Sequence, residues 1–85
     1  MDMDDETIIF LAQRLGARDS MVLKLFEEND YRPTELNPIT ESIYYARQAI
    51  DRLYGASFLD FGVTGRYTLS ESGIRALELA DRGQI

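Results

Sequence analysis

The sequence predicts a mainly α domain with one small β-hairpin. Three observations carry this prediction. Apolar residues recur at helical spacing in four stretches, each bounded by a glycine, a proline or a capping side chain. After Gly55 the apolar repeat shortens from about 3.6 residues to about 2. Between the two short alternating runs lies Gly62-Val63-Thr64-Gly65, a four-residue connection with two glycines of the kind a hairpin uses. At 85 residues the chain reads as a single domain spanning 1–85, with the modest core that a chain of this size can bury.

The first helix is expected over residues 5–15, where Ile8, Leu11, Ala12 and Leu15 share a face and carboxylates crowd the start. A second, over 19–30, starts at Asp19 or Ser20 as N-cap and runs through Met21, Val22, Leu25 and Phe26. Pro33 and Pro38 then break the pattern, so residues 31–38 read as a turn or a very short helical piece. The longest helix, 38–54, is capped by Asn37 or Thr40, buries Ile39, Ile43, Ala46, Ile50 and Leu53, and ends at Gly55. A hairpin over 58–69 turns Leu59, Phe61, Tyr67 and Leu69 to the core. Ser70 caps a last helix over 71–81, which is expected to bury Ile74, Leu77 and Ala80.

Composition excludes several function classes. With no cysteine and no histidine, disulfide frameworks, thiolate zinc sites, cysteine nucleophiles and histidine catalysis are out. Adjacent carboxylates such as Asp4 and Asp5, or Glu27 and Glu28, point apart on a helix and lack companion ligands, so no metal site is expected. There is no phosphate-cradling glycine loop and no catalytic constellation, so the reading is a non-enzyme without cofactor. No apolar run is long enough for a membrane span, and the acidic start is unlike a signal peptide, which points to a cytoplasmic protein. The net charge is −6, and eight of the nine basic residues are arginine, a bias that fits a halophilic source. Residues 1–30 hold eight carboxylates against three cations, whereas residues 42–69 hold three arginines against two aspartates. The second half is the less repelling end for an anionic partner.

Two stretches carry a family resemblance. Ala46-x-x-x-Ile50-x-x-Leu53-x-x-Ala56-Ser57-Phe58-Leu59 is similar to a recognition helix that ends in Leu-x-x-Leu-x-x-Ala-Gly-Leu-Val, and Gly65-Arg66-Tyr67-Thr68-Leu69-Ser70-Glu71-Ser72-Gly73 to a Gly-x-Tyr-x-Leu-Thr-x-x-Gly wing exit. Together they resemble the winged helix-turn-helix family of archaeal transcriptional regulators, in particular the small repressor-like proteins of haloarchaea. Met21 to Leu36 is similar to the family's first helix and its Thr-Pro-x-Glu-Leu segment, with Pro33 and Thr34 in swapped order. The chain differs in a supporting helix cut to about one turn at Asn37-Pro38-Ile39, and in the extra N-terminal helix over 5–15. The resemblance implies a winged helix-turn-helix fold and a regulator that binds double-stranded DNA.

On the 38–54 helix, the direction opposite the apolar stripe is centred on Gln48, with Glu41, Tyr44, Tyr45, Asp51 and Arg52 around it. With the resemblance, Gln48 and Arg52 become candidates for base edges or phosphates, and Tyr44 and Tyr45 for sugars or phosphates. Arg66 beside the hairpin turn is the candidate wing contact, and Arg32 beside Pro33 a backbone contact. The same residues also fit an ordinary solvated face. Ile9 and Phe10 lie off the first helix's main stripe, so a homodimer interface is expected there. The alternative is a winged-helix module that has lost DNA binding and docks a protein partner.

Overall fold

The computed structural model describes residues 3–36 and 43–85. Its first helix, α1 (Asp5–Gln13), starts where the Asp4 carboxylate accepts the Thr7 N–H at 2.8 Å. Asp5 and Glu6 follow in the first turn, beside the positive end of the helix dipole. Ile8 and Ala12 are buried, and Ile9, Leu11 and Leu15 pack partly against the core.

The second helix, α2 (Ala17–Leu25), begins before the expected caps and ends well short of Asn29. Gly16 is its N-cap, and Asp19 sits three residues inside, its carboxylate accepting the Gly16 N–H at 3.4 Å. The core face is Val22, Leu23 and Phe26, while Met21 is exposed. Pro33–Leu36 form one turn of 3-10 helix with Leu36 fully buried, in line with the two prolines.

The long helix, α3 (Ile43–Gly55), buries Ala46, Ala49, Ile50 and Leu53. The expected caps Asn37, Pro38 and Thr40, the core residue Ile39 and the face residue Glu41 lie outside the described residues. The helix ends at Gly55 as expected, but the left-handed stop is made two residues later. The Ser57 N–H donates to Tyr54 O at 3.0 Å and the Phe58 N–H to Leu53 O at 2.9 Å, and Ser57 takes a φ of +66°. That is a Schellman stop, with the fully buried pair Leu53 and Phe58 closing it, and serine stands where glycine is the usual choice.

Strands β1 (Leu59–Phe61) and β2 (Tyr67–Leu69) pair antiparallel, Leu59 opposite Leu69 and Phe61 opposite Tyr67. The connection is tighter than the four residues expected. Gly62 N–H donates to Arg66 O at 2.8 Å, leaving a three-residue loop in which Gly65 has a φ of +80°. Phe61 is 57% exposed rather than in the core, its ring resting edge-on against Tyr67 with centroids 4.9 Å apart. Tyr31 adds a bridge to the free side of β2, exchanging backbone hydrogen bonds with Tyr67 at 3.1 and 2.7 Å. A single bridging residue has no alternation to betray it in the sequence.

The last helix, α4 (Glu71–Asp81), starts as expected: the Ser70 hydroxyl accepts the Gly73 N–H at 3.0 Å. Its buried face differs from the expected one. Gly73, Ala76 and Leu79 are inside, whereas Ile74 is 48% exposed, Leu77 half-buried and Ala80 exposed. Backbone proximity decides the phase: a Cβ on Gly73 would overlap the Phe58 carbonyl. The close approach at Gly73 thus sets a buried face of Gly73, Ala76 and Leu79, which leaves Ile74 and Leu77 to one side. α1 packs on α4, α2 on α3, and the hairpin lies against α3 and α4. Among the described residues no helix is long and apolar enough to cross a membrane.

Two substitutions test this account by urea unfolding. Gly73→Ala is expected to cost about 1–3 kcal/mol through overpacking against a carbonyl that cannot move. Ser57→Gly is expected to stabilise by about 0.5–1 kcal/mol by relieving a left-handed side chain. A neutral Gly73→Ala is incompatible with the packing described.

Candidate nucleic-acid interface

The exposed side of α3 is a stripe of Tyr44, Arg47, Gln48 and Asp51, flanked by Tyr45 and Arg52 on one side and Tyr54 on the other. Gln48 is not its outermost residue. Its amide donates to the Tyr44 hydroxyl at 2.9 Å, and it is half-buried, whereas Tyr44 is 63% exposed. The Tyr44 and Tyr45 rings meet edge-on, and the Arg18 guanidinium lies 4.1 Å over the Tyr45 ring, a cation–π contact from α2 to α3.

The three arginines expected to contact an anion are all tied within the molecule. Arg52 donates to Asp19 at 3.1 Å, and the Asp19 side chain is only 3% exposed. That carboxylate thus serves both the start of α2 and the α2–α3 seam. Arg66 forms a forked pair with Glu35 at 2.8 and 3.1 Å, and its Nη1 also donates to the Asp30 carbonyl at 3.0 Å. Arg32 reaches the hairpin tip, donating to the Thr64 carbonyl at 3.1 Å. Residues 30–35 therefore grip the hairpin at its loop end, through Arg66 and Thr64.

The residue missed on this face is Arg47. It is exposed and, among the described residues, makes no ion pair or hydrogen bond. Its signal was its place one turn from Tyr44 and Asp51 on the uncovered side of the helix. Arg18 was missed because its partner, Tyr45, is on another element.

Asp51 lies on the α3 stripe itself, while six carboxylates, Asp4, Asp5, Glu6, Glu71, Glu78 and Asp81, belong to α1 and α4 or their caps. Arg75 joins these helices, donating to Asp5 at 2.8 and 3.0 Å and to Glu78 at 2.9 Å. Hydrogen bonds from Arg75 hold the Asp5 carboxyl below its ordinary range and raise the Arg75 guanidinium. Glu35 is lowered first by the Arg32 N–H, which donates to it at 2.8 Å, and then by Arg66. Asp4 is lowered by Thr7, through hydroxyl and backbone N–H. Of the expected dimer residues, Ile9 packs against the core, while Phe10 is 57% exposed beneath the Arg14 guanidinium at 5.0 Å. Among the described residues no group of three or more metal-ligating side chains is assembled. In comparisons with known proteins, no family model matches the chain, and no curated protein or solved structure matches it.

Two measurements probe this site. Arg52→Ala is expected to lower stability by about 1–3 kcal/mol, because it strips a buried carboxylate of a partner. A merely solvated arginine would leave the urea midpoint unchanged. The lowered carboxylates also set a pH dependence. In the window below their unfolded pKa values, near pH 4, the folded chain binds fewer protons than the unfolded one. The stability they contribute is complete above that window and is lost as pH falls through the lower folded-state values. Thermal melts at decreasing pH should show Tm dropping, and Glu35→Gln should flatten part of that slope.

Proposed function

We propose that the protein is a small, non-enzymatic, cytoplasmic regulator of winged helix-turn-helix type that binds double-stranded DNA. The element order supports the fold reading: α2, a one-turn helix, α3, a hairpin and α4, with Tyr31 bridging the free side of β2. The observation that carries the function is the α3 face. It is exposed, presents Arg47, Gln48 and two tyrosines beside Asp51, and is separate from the acidic α1–α4 pair. In this reading Arg47 takes phosphate and Gln48 reaches a base edge after releasing Tyr44. Arg52, Arg66 and Arg32 act indirectly, by fixing α3 against α2 and the hairpin against residues 30–35. A homodimer held through Phe10 belongs to the same reading, and sedimentation of Phe10→Asp as a monomer beside a dimeric wild type would support it.

One specific observation favours a second reading. Tyr54 and Phe61 both stack edge-on against Tyr67, at 5.8 and 4.9 Å, and both are more than half exposed. An exposed aromatic ladder beside α3 is what a protein-docking module would present. A mobility-shift titration on mixed-sequence duplex across a salt series separates the two. A DNA binder loses affinity steeply with salt, and Arg47→Ala reduces the logarithmic slope by about one. Gln48→Ala is expected to reduce discrimination for a selected site by about 1–3 kcal/mol, and Asp51→Asn to tighten non-specific binding. Absence of a shift at every salt concentration would leave the docking module as the function.

A further inference from the structure

The stripe of α4 that the core does not use lines a groove. Ile74 and Leu77 form its wall, Phe26 and Leu69 its floor, and its volume is about 290 Å³. Three carboxylates border it: Glu27 from the end of α2, and Glu78 and Asp81 from α4. Glu78 is engaged by Arg75, while Glu27 and Asp81 make no ion pair among the described residues. A second depression of about 200 Å³ continues the track, sharing Leu77 and Asp81 and adding Leu23, Ala80 and Ile85, with Lys24 as its one cation. Together they form an apolar track with acidic borders between α2 and α4.

We propose that this track docks a basic amphipathic segment of a partner protein, with apolar side chains seated against Phe26 and Leu77 and arginines or lysines meeting Glu27 and Asp81. Shape argues against a small molecule, because both depressions lie open along the helix surface rather than enclosing a ligand. Charge selects among larger occupants. Nucleic acid is repelled by the carboxylates, and a second copy laid on the track by two-fold symmetry would set Glu27 and Asp81 against an equally acidic surface. A segment with apolar anchors on one side and cations on the other satisfies both halves of the track, in the manner of a helix laid in a groove. The proposal is independent of DNA binding, which uses α3.

The test uses the whole chain and a fluorescein-labelled leucine–arginine peptide of about four helical turns, patterned as an amphipathic helix. The comparison peptide has the same composition with its leucines spread evenly around the helix. Fluorescence anisotropy is expected to show the amphipathic peptide binding at least about tenfold tighter than its isomer. Ile74→Ser is expected to erase that advantage, and the double variant Glu27→Gln, Asp81→Asn to weaken both peptides. All three positions are exposed, and thermal melts verify that the variants stay folded. Equal binding of the two peptides, or an amphipathic advantage that survives Ile74→Ser, would overturn the proposal. So would a wild-type dimer that Ile74→Ser dissociates, since a second copy would then be the occupant.

Discussion

The contact on which the rest of this fold depends is between the Gly73 backbone and the Phe58 carbonyl. Three peptide segments converge there. The Ser57 carbonyl accepts the Ser70 hydroxyl at 2.6 Å, the Phe58 carbonyl accepts the Ser70 N–H at 3.1 Å, and the Ser70 hydroxyl accepts the Gly73 N–H at 3.0 Å. The end of α3, the entry to β1, the exit from β2 and the start of α4 are thus one hydrogen-bonded knot. Only a residue without a side chain at position 73 lets α4 come close enough to tie it. The knot also sets the rotation of α4, and that rotation leaves an apolar stripe at the surface.

A second constraint is electrostatic. In a chain with net charge −6, carboxylates outnumber cations, and Arg52, Arg66 and Arg32 are bound to carboxylates or carbonyls. Arg52 answers a buried carboxylate that would otherwise be unpaired, so its contribution to stability differs in kind from that of an exposed pair. Arg66 and Arg32 do a different job. They hold a two-stranded ribbon that has little core of its own and would be marginal alone. The result is a face whose shape is maintained by arginines and whose own polar groups are those of Arg47, Gln48, Asp51 and the tyrosines.

How much of this could be read from the sequence depended on how local the determining interaction is. The starts of α1 and α4 were legible because Asp4 and Ser70 cap donors three residues away. The hairpin was legible from the change of period and the flanking glycines. The start of α2 was not, because Asp19 is a good N-cap on paper, yet it is positioned inside the helix to meet Arg52, thirty-three residues on. The phase of α4 was misjudged because side-chain size was weighed and backbone approach cannot be seen in a one-dimensional pattern. The arginine roles were missed for the same reason. Arg66 and Glu35 stand thirty-one residues apart, and nothing in either local sequence announces the pair.

The Tyr31 bridge bears on aggregation. With Tyr31 on one side and β1 on the other, β2 is the inner strand of the small sheet, and its Tyr67 backbone groups are taken by Tyr31. The opposite edge is β1, which is three residues long, carries Asp60 at its middle and runs into Gly62. An edge so short and charged is a poor template for another chain to extend. Phe61 can therefore stay exposed beside it without making the sheet adhesive, and removing either Tyr31's pairing or Asp60's charge would lengthen or neutralise an edge that is now unfit for strand addition.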